Sequence, residues 1–196
     1  RLGHLAAIVR LAPDRADAWD ALRAESPRPP TADSRPLAAA RRDVPRGFRE
    51  ERSTHFVILT DADATWTLGV SRRLEQAHRD FESFIRRLDL EAVPLRHRLV
   101  CIVFRDKRAF ETFARERDGV AAAWAHGYYN PARDRIVLYQ PPSGGDRFAE
   151  ARAIAAIHHE VTHQLSFHRL VQDRTVQYPL WLNEGLATSF EAAADD

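Results

Sequence analysis

The chain of 196 residues contains no methionine, one cysteine and no long apolar run. A single cysteine cannot form an internal disulfide, and the apolar surroundings of Cys101 favour a small buried core residue over a nucleophile. No run approaches the roughly 18 apolar residues of a membrane-spanning helix, and no secretory signal is visible. Since even the first residue is not methionine, we expect a processed protein or a fragment, which leaves a cytoplasmic and an exported protein both open.

A surplus of either charge is also lacking. The sequence has 29 Lys and Arg against 28 Asp and Glu, a formal net charge of +1, and its arginines are dispersed. This balance gives no reason to expect a nucleic-acid or acidic-membrane partner. The apolar content of 44% is ample for a packed core, and the length suits one ordinary domain with an appendage.

Residues 1–25 carry two short helical patterns. Apolar residues recur at helical spacing up to Leu11, Pro13 and Asp14 interrupt them, and Trp19 and Leu22 continue a second pattern. This predicts a helical hairpin. The arrangement around Pro13 and Trp19 resembles the junction between tetratricopeptide repeats, a resemblance that implies a surface for a protein partner. An ordinary helical hairpin stays the alternative.

Two further regions follow. Residues 26–52 are predicted to be a linker, because five of the eleven prolines fall between Pro27 and Arg49 among Arg, Ser and Asp. Residues 53–196 form the main domain, in which apolar strand patterns alternate with amphipathic helices and a hairpin is indicated around 130–134. The expected fold class is α+β, with a small mixed sheet that has a hairpin edge and is backed by helices.

The segment AIAAIHHEVTHQLSFH contains the motif H-E-x-x-H at His159, Glu160 and His163. On a helix, residues four apart lie about 40° apart and one turn apart in height, so both imidazoles can converge on one cation. Glu160 lies about 60° from His163 and can reach a water molecule without being a ligand. Two imidazoles and a neighbouring carboxylate are the arrangement of a zinc hydrolase.

A third ligand is expected at Glu184, 21 residues after His163, in the predicted helix LWLNEGLATSFE. Catalytic zinc takes three protein ligands and keeps one open position. The apolar neighbours of Glu184 in the sequence also favour a cation as its partner. Two other histidines fit less well: the helical phase places His158 beside the apolar stripe, and His168 near the helix end favours a helix-dipole partner or a surface residue.

The two motifs, H-E-x-x-H and N-E-G-x-A, resemble those of gluzincin zinc metallopeptidases. The wider segments GYYNPARDRIVLY, HHEVTHQLSF and PLWLNEGLAT resemble bacterial peptidase-MA-like domains, some of them uncharacterised, over roughly Ser53 to Glu191. The resemblance implies a zincin-like fold, Zn²⁺ held by His159, His163 and Glu184, and Glu160 as general base and acid. It also implies a peptide or protein substrate and an edge strand that pairs with it, for which residues 127–130 are our candidate.

Two departures from the family pattern matter for activity. The chain ends twelve residues after Glu184, before the region that in gluzincins can supply an oxyanion donor, so we predict Tyr129 or Tyr178 for that role, with Tyr128 and His168 as further candidates. The residue one turn after the glutamate, which often orients a ligand histidine, is Thr188, with Asn183 and Glu191 nearby. The leading hypothesis is a zinc peptidase; the alternative is a zinc-binding inactive pseudopeptidase or interaction module.

Overall fold

A computed structural model describes residues 33–90, 93–142 and 147–191. Within these ranges one five-stranded mixed sheet has the strand order β1-β2-β3-β5-β4, and five α-helices accompany it. The strands are β1 (Arg49–Arg52), β2 (Phe56–Thr60), β3 (Leu99–Phe104), β4 (Gly127–Asn130) and β5 (Arg135–Tyr139). The helices are α1 (Arg35–Asp43), α2 (Ala64–Arg87), α3 (Lys107–Phe113), α4 (Arg147–His168) and α5 (Leu180–Glu191). The predicted α+β class is confirmed, and the hairpin predicted for residues 1–25 lies outside the described ranges.

The three inner strands explain the position of the core. β2, β3 and β5 run parallel, and every residue in them is buried. Such continuous apolar strands are typical of a sheet covered on both faces. β4 pairs antiparallel with β5 at the outer edge, with Tyr129 opposite Ile136, so the predicted hairpin is present.

Helices cover both faces of the sheet, since successive side chains of a strand point to opposite sides. Ile58, Cys101 and Ile136 pack on the side of α2, α4 and α5, while alternate residues such as Ile102 and Val137 pack on the side of α1 and α3. α4 contributes Ile157, Val161 and Leu165 to the first cluster. Because this apolar stripe faces the sheet, the motif residues on other sides of α4 are free for a site.

The region predicted to be a linker, 26–52, differs from that prediction from Ser34 onward. Ser34 caps α1 by accepting a hydrogen bond from the backbone N–H of Leu37, with a proline in the first turn, and Leu37 and Ala40 are buried. The strand β1, whose sequence is Arg-Glu-Glu-Arg, extends the sheet beside β2. Proline was misleading here, because at the first helical positions it favours a helix start. Charged side chains are ordinary on an edge strand.

None of the helices in residues 33–90, 93–142 and 147–191 combines the length and the apolar character that a membrane span requires.

Candidate metal centre and catalytic base

The helices α4 and α5 bring three predicted ligands together. The Nε2 atoms of His159 and His163 lie 3.1 Å apart. The Glu184 carboxylate approaches both, with Oε2 at 3.3 Å from His159 Nε2 and Oε1 at 3.7 Å from His163 Nε2. The i, i+4 spacing on α4 supplies the two imidazoles, and packing of α5 against α4 supplies the carboxylate.

These separations fit a small tetrahedral cation. Ligands about 2.0–2.2 Å from zinc at tetrahedral angles lie about 3.3–3.6 Å from one another. The observed separations of 3.1, 3.3 and 3.7 Å fall around that range. Two imidazole nitrogens and a carboxylate oxygen are also donors that zinc accepts in proteins. The residues present therefore suit a metal ion of this class.

Glu191 orients His159 from the far side of the ring. His159 Nδ1 lies 2.6 Å from Glu191 Oε1. A carboxylate bonded to Nδ1 favours a proton on that nitrogen and leaves the Nε2 lone pair directed at His163 and Glu184. Glu191 follows Glu184 by seven residues, or about 20° of helical rotation, so the two carboxylates share one side of α5.

The site opens to solvent through α5. The Glu184 side chain is 49% exposed, while those of His159 and His163 are 17% and 16% exposed. Leu180 and Trp181, which the sequence suggested would surround Glu184 with apolar groups, are themselves exposed. Glu184 therefore has its imidazole neighbours on one side and solvent on the other, an arrangement that gives a ligand or substrate access.

Glu160 faces the edge strand β4. The backbone N–H of Tyr129 donates a hydrogen bond to Glu160 Oε2 at 2.7 Å. Burial raises the pKa of Glu160 to about 7, although the charge of His159 and the Tyr129 bond act in the opposite direction. A carboxyl group with a pKa near neutrality is suited to accept and return a proton.

Gly127 allows a close approach between β4 and β5. A Cβ atom at Gly127 would lie 2.4 Å from Leu138 Cδ2, 3.2 Å from the Val137 carbonyl oxygen and 3.7 Å from Glu160 Cγ. A larger residue would require Leu138 to shift and would crowd the Val137 carbonyl oxygen, while Glu160 would stay at ordinary contact distance. The glycine therefore marks the tight pairing of β4 with β5 and not the contact with Glu160.

A family model described as a protein of unknown function (DUF1570) matches residues 153–195. The matched segment includes His159, Glu160, His163 and Glu184, and so spans both helices of the site. A search of the curated proteins finds no match. The similarity thus concerns the two motif helices and carries no assigned activity.

The two tyrosines predicted as oxyanion donors occupy different environments. The Tyr129 hydroxyl donates to Asp134 Oδ1 at 2.9 Å and accepts from Arg174 Nη2 at 2.8 Å. The Tyr178 hydroxyl accepts from the backbone N–H of Asp173 at 2.8 Å. Within the described residues, neither hydroxyl is hydrogen-bonded to a predicted metal ligand or to Glu160. The role of both tyrosines stays a prediction.

The other two histidines of the motif region lie apart from the three ligands. His158 is buried, its Nδ1 has no hydrogen-bond partner among the described residues, and burial lowers its pKa. His168 Nε2 lies 2.7 Å from Asp134 Oδ2. His97, Asp134 and His168 form a second group whose ligand atoms all lie within 4.8 Å of one another. No local motif indicates this group, because its members lie 34 to 71 positions apart in the sequence.

Proposed function

We propose that this chain is a zinc-dependent peptidase that hydrolyses peptide bonds with Glu160 as its general base. The observation that carries the proposal is the convergence of His159, His163 and Glu184 to within 3.7 Å, with Glu160 on the next residue of the same helix. A purely structural metal site has no use for a buried carboxylate beside an accessible ligand set. When bound, zinc supplies a Lewis acid that polarises a carbonyl oxygen and acidifies water.

Residues of the chain carry out the remaining steps of the proposed reaction. Glu160 Oε2 is held by the Tyr129 N–H, which leaves Oε1 as the atom that takes a proton from the attacking water. A carbon–oxygen bond then forms at the peptide carbonyl. As the carbon–nitrogen bond breaks, Glu160 returns the proton to the leaving amine. Glu191 keeps the His159 ring oriented, and β4, at the outer edge of the sheet, can accept an extended peptide alongside the base.

The test compares Glu160→Gln with wild type for zinc content and for cleavage of a peptide library. Glutamine keeps the shape of the side chain but cannot accept the proton, so we expect zinc content to be unchanged and kcat to fall about 10²- to 10⁴-fold. His163→Ala should lose the zinc. His158→Asn is the matched control, because this neighbouring histidine faces away from the ligands and its replacement should leave zinc content unchanged.

Three outcomes separate the possibilities. Cleavage by Glu160→Gln at the wild-type rate would remove Glu160 from the mechanism. About one zinc per chain without any cleavage by wild type would instead favour the zinc-binding module without turnover. Absence of zinc from wild type, with His158→Asn and His163→Ala indistinguishable from it, would reject the metal site itself.

A further inference from the structure

We propose that Asp134 is a positioning residue of the site, which ties the strand that holds Glu160 to the segments that carry the metal ligands. The inference rests on the proposed function and concerns how the base is kept in place. Asp134 lies in the turn between β4 and β5 and touches none of the predicted ligands.

Three side chains are hydrogen-bonded to the Asp134 carboxylate. Tyr129 Oη and Arg174 Nη2 each lie 2.9 Å from Oδ1, and His168 Nε2 lies 2.7 Å from Oδ2. The side chain is 15% exposed. Its backbone has φ of 52°, in the left-handed region that residues other than glycine rarely adopt. Aspartate tolerates this conformation in a turn, so the three hydrogen bonds, and not backbone strain, show that Asp134 is held in place.

Each of these three side chains comes from a different segment of the site. Tyr129 belongs to β4 and holds Glu160 Oε2 through its backbone N–H. His168 is the last residue of α4, five positions after the ligand His163. Arg174 lies on the connection from α4 to α5, ten positions before the ligand Glu184, and also donates to the Pro131 carbonyl oxygen at 2.9 Å. Asp134 thus connects β4, which contacts Glu160, to the end of α4 and to the connection that leads into α5.

The cluster around Asp134 includes a positively charged arginine side chain, which distinguishes it from a metal site. The ligand atoms of His97, Asp134 and His168 are close enough to hold an ion. However, the same Arg174 Nη2 that bonds Asp134 also lies 3.4 Å from His168 Nε2. The guanidinium therefore already lies among these atoms and offsets the Asp134 charge. This arrangement favours a fixed link between segments over metal binding.

The opposite face of β4 supplies a matched control. The Tyr128 hydroxyl donates to Asp118 Oδ2 at 2.8 Å, as the Tyr129 hydroxyl does to Asp134. Asp118 also pairs with an arginine, Arg135. Yet within the described part of the chain, the hydrogen bonds and ion pairs of Tyr128, Asp118 and Arg135 do not reach α4 or α5. Loss of the Tyr128 hydroxyl removes a comparable hydrogen bond from the neighbouring residue of the same strand and leaves the Asp134 cluster intact.

The experiment uses the zinc-loaded full chain and compares Asp134→Asn and Tyr128→Phe with wild type. Asparagine has the shape of aspartate and tolerates left-handed backbone, but it lacks the charge that holds Arg174 and His168. For Asp134→Asn we expect kcat to fall about 10- to 100-fold, as a displacement of catalytic groups by about 1 Å can do. KM and zinc content should stay at wild-type values. The Tyr129 amide should exchange its hydrogen at least about tenfold faster, since its bond to Glu160 is loosened.

Tyr128→Phe should leave Tyr129 amide exchange at the wild-type rate. Wild-type kcat and exchange in Asp134→Asn would overturn the inference, as would an equal acceleration of exchange in Tyr128→Phe. If Asp134→Asn does not fold, the same measurements on Arg174→Gln test the inference. Arg174 is more exposed than Asp134 and donates hydrogen bonds to Pro131, Tyr129 and Asp134. Amide exchange does not depend on turnover, so it tests the link even if no peptide is cleaved and the proposed function fails.

Discussion

Replacing Glu191 should weaken zinc binding without removing any of the three ligands. The Glu191 carboxylate lies 2.6 Å from His159 Nδ1 and opposes the predicted metal position across the ring. Glutamine can still accept this hydrogen bond but carries no charge, whereas alanine removes the partner altogether. The two substitutions therefore separate the effect of charge on the basicity of His159 from the effect of orientation.

The expected loss of zinc affinity follows from the position of the hydrogen bond between Glu191 and His159. Loss of a partner that holds a ligand histidine costs about 10- to 100-fold in metal affinity, or about 1.4–2.7 kcal/mol. The Glu191 side chain is 36% exposed, so solvent screens part of its charge. We therefore expect about a tenfold weaker affinity in Glu191→Gln, and a loss nearer to 100-fold in Glu191→Ala.

A competition titration against a chromophoric zinc chelator at fixed pH would measure both affinities. The matched control is Thr188→Ala, on the same helix one turn after Glu184, at the position where a family pattern would place the orienting residue. Thr188 is exposed, so its replacement should leave the affinity unchanged. The reasoning fails if Glu191→Ala binds zinc as tightly as wild type, or if Thr188→Ala weakens binding by as much.

Two further predictions concern stability. Gly127→Ala would crowd Leu138 Cδ2 and the Val137 carbonyl oxygen, so thermal unfolding should show a loss of about 1–3 kcal/mol. Gly185→Ala is the control, because nothing lies within 4 Å of its Cβ position and alanine inside α5 should stabilise the protein by up to about 1 kcal/mol. If Gly127→Ala is as stable as Gly185→Ala, the close pairing of β4 with β5 at this residue is wrong. Burial, with the charge of His55 as a further cause, lowers the pKa of His78 from 6.5 to about 4. The unfolded chain then binds more protons between these values, so up to about 3 kcal/mol of stability present above pH 6.5 should be lost as the pH falls to about 4. Denaturant unfolding of His78→Phe should show a shallower decline over that range, and an identical decline would exclude His78 as the cause.

The convergence of the three proposed ligands could be predicted because their geometry is local to helices. The phase of α4 places His159 and His163 on one side and the buried stripe on another, whatever the rest of the chain does. Glu184 needed one further assumption, that the next helix packs against α4. The two helices do pack together, and the three donors meet.

The contacts around Glu160 could not be predicted in the same way, because they depend on register between distant segments. The bond from the Tyr129 N–H to Glu160 joins a strand to a helix 31 positions later, and a backbone donor leaves no trace in residue identity. Glu191 is an intermediate case. Its helical phase relative to Glu184 was readable, but the choice among Thr188, Asn183 and Glu191 required the packing angle of α5. Asn183 instead accepts a hydrogen bond from Gln172.

The two groups of histidine and carboxylate side chains differ in which positive charge balances their carboxylates. At Asp134 the protein supplies a guanidinium, and the hydrogen bonds from His168 and Tyr129 and the charge of Arg174 outweigh burial to lower the pKa of Asp134 to about 2. At Glu184 and Glu191 the paired side chains are imidazoles. Burial lowers the pKa of His163 to about 4, so this ring offers a nitrogen lone pair and not a positive charge at neutral pH. A bound divalent cation would supply there the charge that Arg174 supplies at Asp134, which favours His159, His163 and Glu184 over the second group as the proposed metal ligands.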